Sequence, residues 1–280
     1  MRSPKVSIIM ATYRRPRFIA GSVMSAVRQT FQNWELIVAD DSEADATEAV
    51  IAPLARSETR IRYFHRSEKG SIANSSNFAL ERAAGEYIAI LDDDDTWADP
   101  GKLEKQIKFL DGHPEYEGCG GGIITMDEHG TETGRILKPV TDEAIRRVAL
   151  FANPMANSTG MFRLASAGRY DESLPQFADW DFWLRLGTQG KLYNFPEYFL
   201  NYRMWSSTAS FANQKQNVNL AFVIIRRHRH EYPGFVRAML FAGLYWCYAR
   251  FPFFVRRALN ASLSKAKKYI FSAKGSPRPL

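Results

Sequence analysis

The sequence has few cysteines and no secretion signal, and both absences restrict what the protein can be. Cys119 and Cys247 are the two cysteines among 280 residues. This is too few for a disulfide framework or a cysteine-ligated metal site and fits a reducing cytoplasm. The apolar run Val6–Ala11 meets Arg14 and Arg15 almost at once, so it is too short for the core of a signal peptide. We therefore expect a cytoplasmic protein.

Acidic residues are nearly absent from the last quarter of the chain. Residues 215–280 contain 13 lysines and arginines but a single acid, Glu231. The net charge of the whole chain is +7, so the first 214 residues are net acidic and all the excess basicity lies in this segment. A polyanionic partner is the usual reason for such a segment.

The segment 235–280 favours an anionic membrane surface as that partner. Its uncharged run Ala238–Ala249 has 12 residues, fewer than the roughly 18–20 that a membrane-spanning helix needs. Arginines flank the run and aromatic residues lie between them, as in helices that rest on an anionic leaflet. The alternative is a set of helices packed on the rest of the protein with a solvated basic face. No recognition motif supports nucleic acid, and we expect none to bind.

Short apolar runs alternate with helical patterns through about the first 112 residues. Such alternation predicts a parallel, doubly wound α/β sheet, in which ligands bind at the carboxyl ends of the strands. Beyond Pro114 the pattern becomes mixed. The predicted strands are Val6–Ala11, Glu35–Ala39, Ile61–His65, Tyr87–Leu91, 119–126, 135–137, 159–163 and 198–203, and the predicted helices span about 17–29, 44–56, 71–84, 99–111, 142–151 and 179–187.

Four consecutive aspartates, Asp92–Asp95, follow the strand Tyr87–Leu91 directly. Adjacent carboxylates repel one another, and a folded protein normally places a cation among them. Carboxylate and diphosphate oxygens are the ligands that Mg²⁺ or Mn²⁺ prefers, so this strand end is a candidate metal site. A solvated acidic turn is one alternative. Another is a phosphatase or response-regulator pocket, whose key aspartate follows the first strand, where this chain has Thr12 and Tyr13.

The ends of the first two predicted strands carry further polar groups at the same edge of the sheet. Thr12 and Tyr13, in the loop that continues through Arg15, suit an anion such as a nucleotide phosphate, unless this is an ordinary βα loop. Asp40, at the end of the second strand, can accept hydrogen bonds from a ribose hydroxyl or a base N–H. We interpret Asp41 as a helix cap or loop residue.

Asp179 and Asp181 lie among aromatic residues, an unfavourable setting for a carboxylate that requires a reason. Two residues apart on a helix, they point in nearly opposite directions, so only one of them faces a given site. Asp181 precedes Arg185 by four residues, which predicts an ion pair between them. Asp179 stands at the start of the helix. It is either an N-cap or a general base whose pKa is raised by apolar neighbours, and we favour the base.

Four segments, in this order, resemble the motifs of family 2 glycosyltransferases of the GT-A fold. They are Val6–Pro16, Gln29–Ser42, Ala84–Trp97 and Asp179–Leu186, and the resemblance covers about residues 5–210. It implies a Rossmann-like, mixed and mainly parallel sheet with flanking helices, here followed by a basic helical extension. The implied reaction is metal-dependent transfer of a sugar, with inversion, from a nucleotide diphosphate sugar to an acceptor hydroxyl.

The resemblance also assigns site residues. Asp179 matches the family's catalytic base, and Asp94 matches the aspartate that binds Mn²⁺ or Mg²⁺. Arg203, in Asn201-Tyr202-Arg203, matches an arginine near the diphosphate. The other residues expected on the nucleotide sugar are Thr12, Tyr13, Arg15, Asp40, Asn77, Asp92 and Asp93.

Partners, compartment and domains follow from the resemblance and the basic segment. The expected sugar donor is a UDP-sugar, with dTDP- or GDP-sugars possible. The expected acceptor is a glycan or a polyprenyl-diphosphate-linked glycan of a bacterial surface polysaccharide. Residues 1–212 would form the catalytic domain, with its nucleotide-binding half ending near residue 112. Residues 213–280 would hold the protein on the inner face of the cell membrane.

Three positions depart from the family's pattern. Ala178 stands where a glutamate usually precedes the base, Ser76 where an arginine usually precedes Asn77, and Trp205 where a histidine is frequent. These departures weaken the case for uracil as the base and for a third protein ligand on the metal. They leave open a catalytically degenerate, nucleotide-sugar-binding scaffold. A sugar-nucleotide pyrophosphorylase is a further alternative, although Thr12–Arg17 lacks the glycine-rich loop it would need.

Overall fold

A mixed β-sheet lies at the centre of the protein in the computed structural model, which describes residues 3–43, 46–66, 70–204 and 214–250. Its strands are β1 Val6–Thr12, β2 Trp34–Asp40, β3 Ile61–His65, β4 Tyr87–Ile90, β5 Thr96–Trp97, β6 Tyr116–Met126, β7 Glu132–Ile136, β8 Met161–Arg163 and β9 Lys191–Arg203. Over these described ranges the strand order is β3-β2-β1-β4-β8-β6-β9-β5, with β7 paired to β6. The predicted α/β class with a mixed sheet is confirmed.

The parallel strands β1 to β4 bring three strand ends to one edge of the sheet. β1 pairs in parallel with β2 and β4, and β2 pairs in parallel with β3. Thr12 stands opposite Asp40 across β1 and β2. The backbone N–H of Leu91 donates to the carbonyl of Ile9 at 3.2 Å, which fixes the start of the aspartate run beside β1. The carboxyl ends of β1, β2 and β4 therefore lie together, where ligands of α/β sheets bind.

The second half of the sheet contains the antiparallel pairings. β8 pairs in antiparallel fashion with β4 and β6, while β9 runs parallel to β6 and antiparallel to β5. The sequence predicted only 198–203 of β9 and nothing of β5. The first part of β9 contains Pro196 and alternates polar with aromatic residues, so it lacks the continuous apolar run that marks β1, β2 and β4.

Helices cover both faces of the sheet. Ile8 and Leu36 point into one apolar layer with α1, α2 and α4, whereas Ile9 and Ile37 point into another with α3, α5 and α6. Strands buried on both faces explain why their apolar runs do not alternate with polar residues. The helix bounds are α1 Ile19–Val27, α2 Ala46–Ser57, α3 Ile72–Leu80, α4 Lys102–Gly112, α5 Asp142–Val148, α6 Ala178–Gln189, α7 Gln214–Arg227 and α8 Phe235–Arg250.

The helices α7 and α8 pack against α6 through a third apolar cluster. Trp180 and Leu184 of α6 contact the cluster from one side, and Ile224 of α7 and Ala238 and Ala242 of α8 from the other. The predicted boundary at residue 212 remains a prediction. The helices after residue 212 bury Trp180 and Leu184 of α6, the helix that carries Asp179. Removing these helices should therefore destabilise the rest of the protein.

The outer face of α8 is apolar and exposed. Val236, Leu240 and Leu244, four residues apart, are 67%, 65% and 72% exposed, whereas Ala238 and Ala242 between them are buried. The alternative interpretation of this segment, packing on the protein, therefore applies to one face of the helix only. Among the residues described, no helix is long and apolar enough to cross a membrane. The remainder of the basic segment, 251–280, lies outside the described residues.

Candidate active site

Helix α1 fixes the backbone of the aspartate run. The Ser22 hydroxyl lies 2.9 Å from the carbonyl oxygen of Asp93 and 2.5 Å from that of Asp95, and the N–H of Trp97 donates to Ser25 Oγ at 3.0 Å. Both serines lie on the buried side of α1. Two neutral hydroxyl groups of α1 therefore hold the backbone of the loop that follows β4.

Asp92 is held by the short 3₁₀ turn Asn157–Thr159 that precedes β8. Ser158 Oγ donates to Asp92 Oδ2 at 2.5 Å, and the carbonyl of Ser158 accepts a hydrogen bond from Trp97 Nε1 at 2.8 Å. Burial, together with the nearby charges of Asp94 and Asp179, raises the pKa of Asp92 to about 6. The Asp92 carboxylate thus lies close enough to both Asp94 and Asp179 to interact with their charges.

The remaining aspartates show the mutual repulsion expected from their spacing. Burial and the neighbouring Asp94 raise the pKa of Asp93 to about 7, and burial beside Asp92 and Asp94 also raises that of Asp95. Asp95 Oδ2 is buried and has no hydrogen-bond partner within the described part of the chain. A divalent cation beside these carboxylates would offset the repulsion between them.

Two arginines flank the aspartate run. Arg15 Nη1 lies 3.5 Å from Asp94 Oδ2, and both side chains are largely buried. The backbone N–H of Arg203 donates to Asp95 Oδ1 at 3.0 Å, and Arg203 Nε lies 3.4 Å from the carbonyl oxygen of Asp94. Both cations therefore lie beside the aspartate run. In the described part of the chain, no three His, Cys, Asp or Glu side chains lie together as a metal site. A cation beside the predicted ligand Asp94 would therefore need ligands from other groups.

The loop after β1 adopts an unusual backbone conformation. Arg14 has φ 54°, in the left-handed region that residues other than glycine rarely occupy, and its N–H donates to Ser42 Oγ at 2.8 Å. The buried hydroxyl of Thr12 has no hydrogen-bond partner among the described residues. The Tyr13 hydroxyl donates to Glu43 at 3.3 Å. Strained backbone and an unpaired hydroxyl are features that recur at ligand sites.

The side chains of Asp40, the last residue of β2, and Asp41, which follows it, contact different parts of the protein. Asp40 accepts hydrogen bonds from the Tyr63 hydroxyl and the backbone N–H of Ser42, both at 2.8 Å. Asp41 Oδ2 accepts from Ser75 Oγ at 2.7 Å and from the N–H of Gly70 at 2.9 Å. We interpreted Asp41 as a cap or loop residue. The sequence did not indicate its contact with Ser75 of α3, because the two residues are 34 positions apart.

The side chain of Asn77, a predicted nucleotide contact, forms hydrogen bonds to the segment 170–172. Its Nδ2 donates to the carbonyl of Tyr170 at 3.0 Å and to Glu172 Oε1 at 2.7 Å, and its Oδ1 accepts from the N–H of Tyr170 at 2.7 Å. The side chain is buried, and both of its amide hydrogens are used. Asn77 therefore fastens the segment 170–172 to α3 instead of joining the aspartate run. Trp205 lies outside the described residues.

Asp179 stands in the first turn of α6. Phe177, just before the helix, has φ 64°, the other left-handed residue besides Arg14 among the described non-glycine positions. Asn153 Nδ2 donates to Asp179 Oδ2 at 2.8 Å. Burial raises the pKa of Asp179, although the hydrogen bond from Asn153 and the charge of Lys138 oppose the rise. A carboxylate with a raised pKa is suited to accept a proton.

Asp181 forms the predicted ion pair and two further contacts that the sequence did not indicate. Arg185 Nε, Arg227 Nη1 and His228 Nε2 lie 2.8, 2.8 and 3.0 Å from its oxygens. Burial alone would raise the pKa of Asp181, but these hydrogen bonds hold it well below the usual range. Because Arg227 and His228 belong to the chain beyond the predicted domain boundary, Asp181 ties α6 to the end of α7.

The fold and the site define an α/β protein with clustered carboxylates at the carboxyl edge of its sheet. The chain belongs to glycosyl transferase family 2, whose family model matches residues 7–166. It is therefore a glycosyltransferase, and the predicted enzyme class is confirmed.

Relatives and a solved structure agree with this assignment. The chain is 33% identical over 234 residues to the putative glycosyltransferase EpsE of Bacillus subtilis, covering 80% of this chain and 83% of the relative. Over 105 residues, 38% of this chain and 40% of the relative, it is 40% identical to the UDP-Glc:alpha-D-GlcNAc-diphosphoundecaprenol beta-1,3-glucosyltransferase WfgD of Escherichia coli. The fold resembles that of the mannosyltransferase PcManGT of Pyrobaculum calidifontis, solved with GDP-Man and Mn²⁺, with TM-score 0.64 and 17% identity over 99% of this chain and 77% of that one.

Proposed function

We propose that the protein is a metal-dependent, inverting glycosyltransferase that uses a nucleotide diphosphate sugar. One observation carries the proposal: the segment 153–159 contacts both the proposed base, Asp179, and the aspartate run. Asn153 donates to Asp179, and Ser158 donates to Asp92. A carboxylate suited to proton transfer is therefore held next to carboxylates suited to a nucleotide sugar and its cation.

In the proposed reaction Asp179 takes the proton from an acceptor hydroxyl, whose oxygen attacks the anomeric carbon. The attack comes from the face opposite the nucleotide, so the configuration at that carbon inverts. Arg15 and Arg203 offset charge that develops on the departing diphosphate. Asp94 would hold Mn²⁺ or Mg²⁺, which would supply further charge neutralisation there. Thr12, Tyr13, Asp40, Asp92 and Asp93 would bind the nucleotide sugar around this centre.

The proposed substrates come from the chemistry of the site and from the relatives. The name of WfgD gives a UDP-sugar and a diphosphoundecaprenol-linked acceptor, which supports the same two classes here. A GDP-sugar occurs with PcManGT, so dTDP- and GDP-sugars belong in the test. We propose a glycan or polyprenyl-diphosphate-linked acceptor of a bacterial surface polysaccharide.

The substitution Asp94→Ala should abolish stabilisation by a nucleotide sugar with Mn²⁺. Saturating ligand at about 100 times its Kd adds about 2.7 kcal/mol to the stability of the wild type. The variant loses the cation and with it most of the affinity for diphosphate. Thermal unfolding with UDP-, dTDP- and GDP-sugars, with and without chelator, measures this effect.

Glu143→Ala is the matched control for Asp94→Ala, because Glu143 is an exposed acid of α5. It should behave as the wild type. Equal stabilisation of wild type and Asp94→Ala would contradict the metal site. Nucleotide binding without transfer to any acceptor would favour the scaffold alternative, and the anomeric configuration of a product, read by NMR, tests inversion.

We also propose that the protein rests on the inner face of the cell membrane through 235–280. Val236, Leu240 and Leu244 form an exposed apolar stripe on α8. The sequence after α8, residues 251–280, contains lysines and arginines but no acid. An apolar face combined with positive charge is the pattern of interfacial helices on anionic lipid.

Replacing both Leu240 and Leu244 by glutamate should release the protein from vesicles that contain anionic lipid. The side chains are 65% and 72% exposed, so folding should be unaffected. Ile72→Glu is the control, since Ile72 is 68% exposed on α3, away from the stripe. Co-sedimentation with anionic and with neutral vesicles gives the comparison. Undiminished binding of the double variant to anionic vesicles would refute the membrane face.

A further inference from the structure

Asn153 has a fixed amide orientation beside Asp179. Its Nδ2 donates to Asp179 Oδ2 at 2.8 Å, and its Oδ1 accepts from the N–H of Met155 at 3.1 Å. Because an amide has a donor end and an acceptor end, these two contacts allow only one orientation of the side chain. The side-chain N–H of Asn153 therefore points at Oδ2 of Asp179.

The backbone around Asn153 is held as firmly as its side chain. Lys138 Nζ donates to the carbonyl of Asn153 at 3.1 Å. Asn194, buried on β9, donates through Nδ2 to the carbonyls of Pro139 at 2.8 Å and Pro154 at 3.2 Å. The two asparagines therefore join the same pair of segments, 138–140 and 153–155, but only Asn153 reaches Asp179.

We propose that Asn153 is a positioning residue for proton transfer: it occupies Oδ2 of Asp179 and so directs Oδ1 to the acceptor hydroxyl. The inference rests on the proposed role of Asp179 as the base. A base must hold its reactive oxygen within hydrogen-bond reach of the proton it removes. A carboxylate free to rotate at the start of a helix would present its two oxygens in many orientations, and only some of them are productive.

The groups that face Asp179 decide how its titration responds. Lys138, before α5, and the backbone N–H of Trp180, in α6, favour the ionised form, as does Asn153. Asp92, after β4, carries a like charge close enough for the two carboxylates to interact. Tyr170, held by Asn77, lies within the field of Asp179 and Asp92. Asn153 is uncharged, so replacing it by alanine alters the pKa of Asp179 without removing a charge.

The variant Asn153→Ala should move the acid limb of the pH profile of kcat/KM to higher pH by about one unit. The lost hydrogen bond favours the carboxylate, and one unit is the usual size for a bond to a charged group. Asn153→Asp should move the limb further, because it adds a like charge at the same distance. kcat should fall about 10- to 100-fold, with little change in KM for the nucleotide sugar.

Asn194→Ala is the matched control, because it loosens the same segments without touching Asp179. It should lower stability to urea about as much as Asn153→Ala while leaving the acid limb in place. Asn153→Gln, which retains the amide, should recover part of the rate. Identical pH profiles for wild type, Asn153→Ala and Asn194→Ala would overturn the inference, since activity would then follow stability alone.

A second measurement keeps the inference separate from the proposed function. Carboxyl ¹³C NMR of the protein without substrate reports the pKa of Asp179 directly, whether or not an acceptor has been found. A higher pKa in Asn153→Ala than in wild type supports the contact, and an unchanged pKa refutes it. Failure of wild type to transfer sugar from any donor would instead count against the proposed reaction.

Discussion

The substitution Asp179→Asn should lower kcat for sugar transfer by about 10²–10⁴-fold, the contribution of a well-placed general base. The amide has the shape of the carboxylate and still accepts the hydrogen bond from Asn153, but it takes no proton. Nucleotide-sugar binding should remain close to that of wild type. Initial rates at saturating nucleotide sugar, together with thermal stabilisation by the same ligand, separate the two effects.

The same residue sets the direction of the pH dependence. As the proposed base, Asp179 must be ionised to accept a proton, so activity should fall as pH decreases through its pKa. Burial raises that pKa, so the fall should begin at higher pH than an exposed aspartate would give. Glu143→Gln, an exposed change on α5, serves as the control and should leave both rate and profile unaltered. A kcat for Asp179→Asn equal to that of wild type would exclude Asp179 as the base.

Truncation after residue 212 should destabilise the remaining domain severely. It removes Ile224, Ala238 and Ala242 from the apolar cluster on α6. It also leaves Asp181, which is fully buried, without Arg227 and His228. Breaking a buried charge network costs about 3–5 kcal/mol, and each large apolar side chain lost adds about 1.5–3 kcal/mol. Such a sum approaches the whole stability of a typical domain, about 5–15 kcal/mol.

Truncation after residue 250 is the control, because it retains α7 and α8 in full. Its urea midpoint should match that of the complete chain, whereas the shorter protein should unfold at much lower urea or fail to accumulate. A stable and active protein ending at residue 212 would mean that the helical pair is dispensable for the fold. Truncation after residue 250 also tests how much residues 251–280 add to the proposed membrane binding beyond the stripe on α8.

The strand that precedes the aspartate run was predictable because local sequence determines it. Tyr87–Ile90 is a continuous apolar run that ends in charge, a pattern with a single good structural solution in an α/β sheet. The ion pair of Asp181 with Arg185 was predictable for the same reason, since residues four apart meet on any helix. In both cases the partners are near neighbours along the chain.

The contacts that complete the site were not predictable, because they join residues distant in sequence. Asn153 and Asp179 are 26 residues apart, and Ser158 and Asp92 are 66 apart. No periodicity relates such pairs, and the loop that contains Asn153 and Ser158 has no distinctive composition. The family motif predicts an asparagine at position 77, which the chain has. The motif does not reveal the hydrogen-bond partners of that side chain, because they depend on the path of the segment 170–172.

The segment 153–159 also has a consequence for the spacing of the two carboxylates. One of its ends contacts Asp179 and the other contacts Asp92, so in the proposed mechanism its length sets the distance between the base and the bound nucleotide sugar. An insertion between Asn153 and Ser158 would change that distance. We therefore expect such an insertion to lower the rate of sugar transfer more than its effect on stability explains.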